Sequence, residues 1–174
     1  VFLNGEFIGT LDRREGINTI DIPESNVERP RLEILVEGMG RINFAQYLID
    51  RKGITDRVTL NGMTLMNWEV YNLPMDHKFI YELRSSNRNP GKKGIFFKGN
   101  FFLTAPGDTF LDMSNFQKGI VWVNGNNLGR YWNIGPQKRL YCPESFLRSG
   151  NNEMLVLDLL QTEPQIVVGF KTAE

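Results

Sequence analysis

Asparagine-glycine pairs follow short apolar or β-branched runs at three places in this chain, and they restrict its fold more than any other feature. The pairs are Asn4-Gly5, Asn61-Gly62 and Asn124-Gly125. Both residue types tolerate a positive φ, which the two central positions of the tightest β-hairpin turn require. The pairs therefore predict hairpins, and a chain built mainly from short strands.

The segments between these turns also have strand character. Residues 19–22 and 68–71 alternate apolar and polar side chains, and residues 95–103 are rich in Phe but interrupted by Lys98-Gly99-Asn100. Residues 154–160 form an apolar run typical of a strand that is buried on both faces. The 17 glycines and 8 prolines argue against long helices, and only a short helical turn is predicted, at residues 143–147.

Composition excludes several classes of function. Lys plus Arg equals Asp plus Glu at 20 each, whereas nucleic-acid binders usually carry a basic excess that neutralises phosphates. The sequence contains no apolar run long enough to span a membrane and no basic amphipathic helix for a membrane surface. The single Cys142 and the single His77 leave no disulfide framework, no metal-ligand cluster and no Ser-His-Asp triad, and we expect His77 in a solvated loop. No cofactor is predicted.

An internal repeat relates the two ends of the chain. Residues 1–9 match residues 121–129, so that 121 minus 1 gives an offset of 120. The same offset places 23–25 on 143–145, and 34–36 on 154–156. Three matches in one register predict a shared supersecondary unit, in which two strands flank an Asn-Gly turn and a later strand returns beside them.

The repeat predicts two domains and an all-β fold of the jelly-roll or sandwich type. The second copy is predicted to have upstream strands, from about residue 79 to residue 120, that complete a sandwich, so residues 74–174 form the more complete domain. The first copy has nothing before Val1, so we expect residues 1–73 to be the C-terminal part of a first sandwich in an excised fragment. Short strands at this spacing, with almost no helical periodicity, are typical of sandwiches and jelly rolls.

Residues 119–132 resemble a stretch in the C-terminal part of family 35 glycoside hydrolases, the β-galactosidases. The similarity continues through Gly135-Pro136-Gln137 and residues 140–143, and extends upstream to residues 35–44, 52–54, 68–71 and 108–112. It covers nearly the whole chain in the right order, although Gly38 stands where that family usually has Asn.

The resemblance implies a galactose-binding-like sandwich region that follows a catalytic (β/α)₈ barrel with two catalytic glutamates. The chain is too short for the barrel, and none of its acidic residues lies in a context that the family links to catalysis, so no catalytic residue is predicted. The resemblance implies that this piece is inactive alone and supports the barrel of a parent enzyme that hydrolyses terminal non-reducing β-galactose. It also implies a periplasmic or extracellular location.

A carbohydrate-binding module is the alternative function. Aromatic faces stack on sugars and an Arg donates to hydroxyls, so Asn124, Arg130, Tyr131 and Trp132 are the candidate galactoside-binding residues. Each also has an architectural interpretation: Tyr131 and Trp132 could plug the end of the sandwich, and Arg130 could bind carbonyls or Asp112. Architecture is the favoured interpretation.

Glu37, Arg41 and Asn43 lie after the first copy of the repeat. Glu37 and Arg41 could pair across a bend, or the group could dock on the barrel. We favour the interdomain contact over a ligand site.

Overall fold

The structure is a computed structural model that describes residues 1–38, 40, 42–84 and 92–171. The chain divides into two compact units, Val1–Leu73 and Pro74–Glu174. Within the described ranges, the helices are all too short or too polar to cross a membrane. The two units differ greatly in how much of their apolar surface is buried.

Every strand in the described residues of the first unit is two residues long. Strands β1 (Phe2–Leu3), β2 (Glu6–Phe7) and β3 (Leu32–Glu33) form an antiparallel sheet in the order β2-β1-β3. A separate hairpin pairs β4 (Thr59–Leu60) with β5 (Met63–Thr64), and 3₁₀ turns occupy Arg13–Glu15 and Ala45–Ile49. None of the described residues of this unit is fully buried.

The second unit is a β-sandwich preceded by one short helix. Helix α1 (His77–Glu82) is capped by Asp76, whose side chain accepts a hydrogen bond from the Phe79 N–H at 2.8 Å. The strands are β6 (Ile95–Leu103), β7 (Thr109–Asp112), β8 (Lys118–Val123), β9 (Asn126–Trp132), β10 (Arg139–Cys142), β11 (Gly150–Asp158) and β12 (Val168–Phe170). They form a four-stranded sheet, β6-β11-β8-β9, and a three-stranded sheet, β10-β7-β12. The all-β sandwich prediction is confirmed.

Apolar residues cover both faces of the four-stranded sheet. Val121 and Val156 face the three-stranded sheet and pack with Leu111, Leu140 and their neighbours in the main core. Side chains on the opposite face form a second cluster with helix α1, made of Ile80, Trp122, Leu155 and Leu157. Strand β11 lies between two neighbours and is packed on both faces, as its apolar run predicts.

All three Asn-Gly pairs form the predicted hairpin turns. The φ angles of Asn4, Asn61 and Asn124 are 52°, 49° and 48°, and those of the following glycines are 79°, 82° and 82°. Positive φ at both positions defines the turn whose twist matches that of the flanking strands. The turns join β1 to β2, β4 to β5, and β8 to β9.

The internal repeat exists in three dimensions, but one of its predicted registers is wrong. Strand order β2-β1-β3 in the first unit matches β9-β8-β11 in the second. However, Leu3 pairs with Leu32 while Val123 pairs with Met154, so the returning strands are related by 154 minus 32, an offset of 122 rather than 120. A two-residue difference keeps every side chain on the same face of a strand, which is why the sequence alignment did not reveal it.

Several local predictions are wrong. Residues 19–22 and 68–71 form no strand, and Trp68 and Val70, the apolar positions of the second segment, are exposed. Strand β6 runs through Lys98-Gly99-Asn100 without interruption: all three residues are exposed, and all three pair with β11. The upstream segment of the second copy begins with helix α1, where strands were expected. The helical turn at residues 143–147 is confirmed as a 3₁₀ turn over Glu144–Phe146.

Candidate functional site

Asn124 holds a turn together through its side chain. Its Nδ2 donates to the Phe146 carbonyl and to Asn152 Oδ1, both at 2.8 Å, and its Oδ1 accepts from the Glu153 N–H at 2.9 Å. Asn152 is fully buried and also donates to the Arg148 carbonyl at 2.8 Å. Asn124 therefore links the β8–β9 turn to the start of β11 and to the 3₁₀ turn that precedes it, and these contacts occupy both ends of its amide.

Tyr131 is a core residue, only 2% exposed. Its hydroxyl donates to Asp158 Oδ2 at 2.8 Å and lies 3.1 Å from the Leu157 carbonyl. Burial, followed by the charge of Asp158, raises the pKa of Tyr131 well above its ordinary value. The ring therefore takes the architectural role, with its hydroxyl committed inside the sandwich.

Asp158 is itself a fully buried carboxylate. Oδ2 accepts from the backbone N–H groups of Gln117 and Lys118, and Oδ1 accepts from those of Leu160 and Gln161. Four backbone donors and the Tyr131 hydroxyl satisfy its oxygens, as a buried charge requires. Asp158 was not predicted from the sequence, because the end of an apolar strand gives no signal for a carboxylate with such partners.

Arg130 and Trp132 alternate with Tyr131 along β9 and so lie on the opposite face of the sheet. Arg130 is exposed, and the Nζ atom of Lys118 lies 4.1 Å from the centre of the half-buried Trp132 ring. The structure thus separates Tyr131 from Arg130 and Trp132, and it places Asn124 at the far end of the hairpin. A galactoside-binding role for Asn124, Arg130 and Trp132 stays a prediction.

The proposed interdomain residues have different environments. Glu37 is half-buried and Asn43 is exposed, whereas Arg41 lies outside the described residues. A contact of these residues with another domain stays a prediction.

An ion pair and a row of aromatic rings on the outer face of the three-stranded sheet were missed by the sequence analysis. Asp112 of β7 accepts from Arg139 Nε of β10 at 3.1 Å and from the Ser114 N–H at 2.8 Å. The next register position aligns Tyr141, Phe110 and Phe170 across the three strands. Period-two alternation within β7 and β10 was the available signal, because Phe110 and Asp112 share one face, as do Arg139 and Tyr141.

The remaining reactive side chains have ordinary environments. Cys142 is fully buried, and burial together with the charge of Asp108 raises the pKa of its thiol to about 11, as expected of an inert core cysteine. His77 is solvated as predicted, but it begins helix α1 rather than lying in a loop, and its ring stacks on Tyr81. Over the described ranges, no three His, Cys, Asp or Glu side chains come together as metal ligands.

Two family models match the chain. The first all-beta domain of beta-galactosidase matches residues 1–74, and the galactose-binding domain of beta-galactosidase matches residues 94–152. The two matches lie in the order that the sequence resemblance implied.

Named relatives agree with the two models. Beta-galactosidase-1-like protein 3 of Rattus norvegicus is 40% identical over 167 residues, which are 92% of this chain and 26% of the relative. Beta-galactosidase 1 of Dictyostelium discoideum is 33% identical over 178 residues, which are 98% of this chain and 26% of the relative. Beta-galactosidase of Xanthomonas manihotis is 36% identical over 149 residues, which are 85% of this chain and 24% of the relative.

The chain spans about a quarter of the length of these relatives. Both matched segments are all-β domains, in agreement with the observed strands. The chain therefore belongs to the β-galactosidases of glycoside hydrolase family 35, of which it represents the non-catalytic all-β region.

Proposed function

We propose that this chain is the supporting β-region of an enzyme that hydrolyses terminal non-reducing β-galactose with retention. The two matched family domains carry the proposal, because both are parts of β-galactosidases. A retaining glycosidase uses two carboxyl groups about 5 Å apart, and in this proposal both belong to a (β/α)₈ barrel elsewhere in the parent chain.

The surface of the first unit supports a role in docking. Ile49, Met66 and Val70 are more than three-quarters exposed, and no described side chain of this unit is fully buried. Such an apolar surface is typical of a protein interface. In the proposal this surface packs on the barrel, and Glu37, Arg41 and Asn43 contribute to the same interdomain contact.

The proposed docking is testable in the full-length parent enzyme. We expect Ile49→Glu to lower the temperature at which the enzyme loses half of its galactosidase activity by about 3 °C or more. The reason is that the substitution would bury a charge at the interface. Ile166→Glu is the matched control, since Ile166 has similar exposure but lies in the second unit. Equal melting temperatures for Ile49→Glu and the unmodified enzyme would contradict docking through this surface.

In the leading proposal, galactosides are substrates of the parent enzyme and are not bound by this chain. Binding by the chain itself at Asn124, Arg130 or Trp132 is the second candidate, supported by the partly accessible Trp132 ring. A titration of the chain with lactose, monitored by tryptophan fluorescence, distinguishes the two candidates. If the chain itself binds galactosides, lactose should cause a saturable change in fluorescence, and Trp132→Ala should remove that change. A periplasmic or extracellular location is also part of the proposal, and rests on the family resemblance alone.

A further inference from the structure

We propose that Asn61 is a site of spontaneous deamidation, at which the protein converts one of its three Asn-Gly pairs to aspartate or isoaspartate while the fold protects the other two. The three pairs share one dipeptide and one turn conformation, with positive φ at both residues. Only their surroundings differ, so the chain contains its own comparison. The reaction takes place within the first unit and does not depend on the supporting role of the chain.

The reaction needs an asparagine amide, the next backbone nitrogen and water. The backbone nitrogen of Gly62 attacks Cγ of Asn61 and gives up its proton, the Cγ–Nδ2 bond breaks, and ammonia leaves as a five-membered succinimide forms. Water then opens the ring at either of its two carbonyl groups, which yields aspartate or isoaspartate. Glycine at the second position favours the attack, because it has no Cβ to hinder the close approach of its backbone.

The side-chain amide of Asn61 is available for this reaction. Asn61 and Gly62 are both exposed, and within the described ranges no group donates a hydrogen bond to the Asn61 amide or accepts one from it. A Cβ atom added to Gly62 would meet nothing within 4 Å, so the space beside its Cα atom is open. The Asn61 side chain can therefore rotate toward the Gly62 nitrogen without breaking a side-chain hydrogen bond.

The hairpin around Asn61 also opens easily. Strands β4 and β5 contain two residues each, form a two-stranded sheet of their own and are exposed along their whole length. A two-stranded hairpin of this kind is marginally stable in water. Regions with few buried contacts open at low free energy, so this backbone can bring the Gly62 nitrogen to Cγ of Asn61.

Asn124 is protected by the contacts that anchor its turn. Its side-chain amide makes three hydrogen bonds of 2.8 to 2.9 Å. Its hairpin belongs to the four-stranded sheet, and a Cβ atom added to Gly125 would lie 3.1 Å from Nε2 of His77. Attack on Cγ of Asn124 would require these bonds to break within the sandwich.

Asn4 is exposed, as Asn61 is, but its amide is occupied. Its Nδ2 donates to Ser25 Oγ at 3.1 Å, and its Oδ1 accepts from the Arg31 N–H at 2.8 Å. Its hairpin is also extended by strand β3. Exposure therefore does not distinguish Asn4 from Asn61, whereas the hydrogen bonds of the amide do.

The product changes both charge and backbone. Each event replaces a neutral amide with a carboxylate, and isoaspartate also inserts a methylene group into the backbone of the turn. The new charge lies in the same hairpin as Met63, which is 69% exposed. Under the proposed docking of the first unit, this charge would weaken the contact with the barrel. That consequence rests on the proposed function, whereas the reaction does not.

The test is peptide mapping by mass spectrometry of the folded 174-residue chain during incubation at body temperature and neutral pH, beside a sample unfolded in urea. In the folded chain we expect Asn61 to deamidate at least about tenfold faster than Asn4 and Asn124, because their amides must first be released from hydrogen bonds. In urea the three rates should converge, because the sites then share the same reacting dipeptide. The measurement follows the reaction alone and is independent of docking.

Isoaspartate can also be counted by enzymatic methylation with an isoaspartyl methyltransferase and a labelled methyl donor. Asn61→Ser should remove most of the label that the folded chain accumulates. Asn67→Ser is the matched control, since Asn67 is also exposed and has a φ of 59°, but Trp68 follows it in place of glycine. This control should accumulate as much label as the original chain.

Peptide mapping of the unsubstituted chain decides the matter even if a variant fails to fold. The inference is overturned if Asn61 deamidates no faster than Asn124 in the folded chain, or if Asn61→Ser accumulates as much label as the original chain. It is also overturned if Asn61 keeps its lead in urea, since the difference would then lie in the local sequence and not in the fold.

Discussion

Asn124 and Glu153 are joined by a reciprocal pair of hydrogen bonds. The Asn124 N–H donates to the Glu153 carbonyl at 2.9 Å, and the Glu153 N–H donates to Asn124 Oδ1 at 2.9 Å. Asn4 and Arg31 of the first unit are joined by the same two bonds, each at 2.8 Å. The repeat therefore conserves a side-chain contact as well as a strand order, and the asparagine of each turn anchors the returning strand.

We expect Asn124→Ala to destabilise the second unit by about 3 kcal/mol, because it leaves Phe146, Asn152 and Glu153 without their partner and places Ala at a positive φ. Asn124→Gly loses the same contacts but accepts the φ angle, so it should be about 1 kcal/mol less harmful. Urea unfolding followed by tryptophan fluorescence measures both. Equal stability of Asn124→Ala and the original chain would show that the side chain does not anchor the strand.

Gly119 lets the Tyr131 hydroxyl reach Asp158. A Cβ atom at position 119 would lie 1.7 Å from the Leu157 carbonyl oxygen and 2.8 Å from the Tyr131 hydroxyl. Because the first clash is with backbone, we expect Gly119→Ala to unfold the sandwich or destabilise it by about 4 kcal/mol or more. Gly99→Ala is the control, since nothing lies within 4 Å of its added Cβ. Circular dichroism melts distinguish the two variants, and a well-folded Gly119→Ala would contradict the strand packing.

The buried Tyr131–Asp158 pair predicts a graded loss of stability. Tyr131→Phe removes one hydrogen bond and should cost about 1–2 kcal/mol. Asp158→Asn replaces one carboxylate oxygen with an NH₂ group, which would face backbone N–H donors instead of accepting from them. We expect this variant to lower the free energy of unfolding by about 3–5 kcal/mol. The double variant should be less damaging than the sum of the two, because the residues share a contact. Additive losses in denaturant unfolding would argue against the direct bond.

The ion pair of Asp112 predicts a pH dependence of stability. Hydrogen bonds from the Ser114 side chain and backbone and from Arg139 lower the folded-state pKa of Asp112, while burial opposes them. A depressed carboxyl pKa contributes stability above the unfolded value of about 3.9, and this contribution is lost as pH falls through the lower folded value. Asp112→Asn should therefore flatten the stability profile below about pH 4 relative to the original chain. Parallel profiles for the two proteins would show that Asp112 is not specifically stabilised.

Local turn chemistry was predictable from sequence, whereas contacts between distant segments were not. Asn-Gly fixes a backbone conformation through two adjacent residues, so Asn4, Asn61 and Asn124 could be assigned without knowledge of the fold. The alternation of Ile20 and Ile22 carries no such constraint, and pairing partners decide whether it becomes a strand. The same holds for the β3 register, since a shift of two residues leaves the pattern of faces unchanged.

The contacts of the candidate site residues also could not be predicted from sequence, because their partners are distant in the chain. Aromatic and basic residues next to a recognisable turn drew attention to Tyr131, yet its hydroxyl is bound to Asp158, 27 residues away in sequence. Arg139 and Asp112 are also 27 residues apart, and only the pairing of β10 with β7 brings them together. Alternation within each strand could pair Phe110 with Asp112 and Arg139 with Tyr141, but sequence spacing gave no indication that the two pairs share one face.

The most direct measurement is a hydrolysis assay of the purified 174-residue chain with a chromogenic β-galactoside, beside the full-length parent enzyme. We expect the parent to release the chromophore and the isolated chain to remain at the rate of the buffer blank, because the proposed function places the catalytic carboxyl pair outside these domains. Turnover by the isolated chain that persists through purification and is lost on unfolding would contradict a purely supporting region.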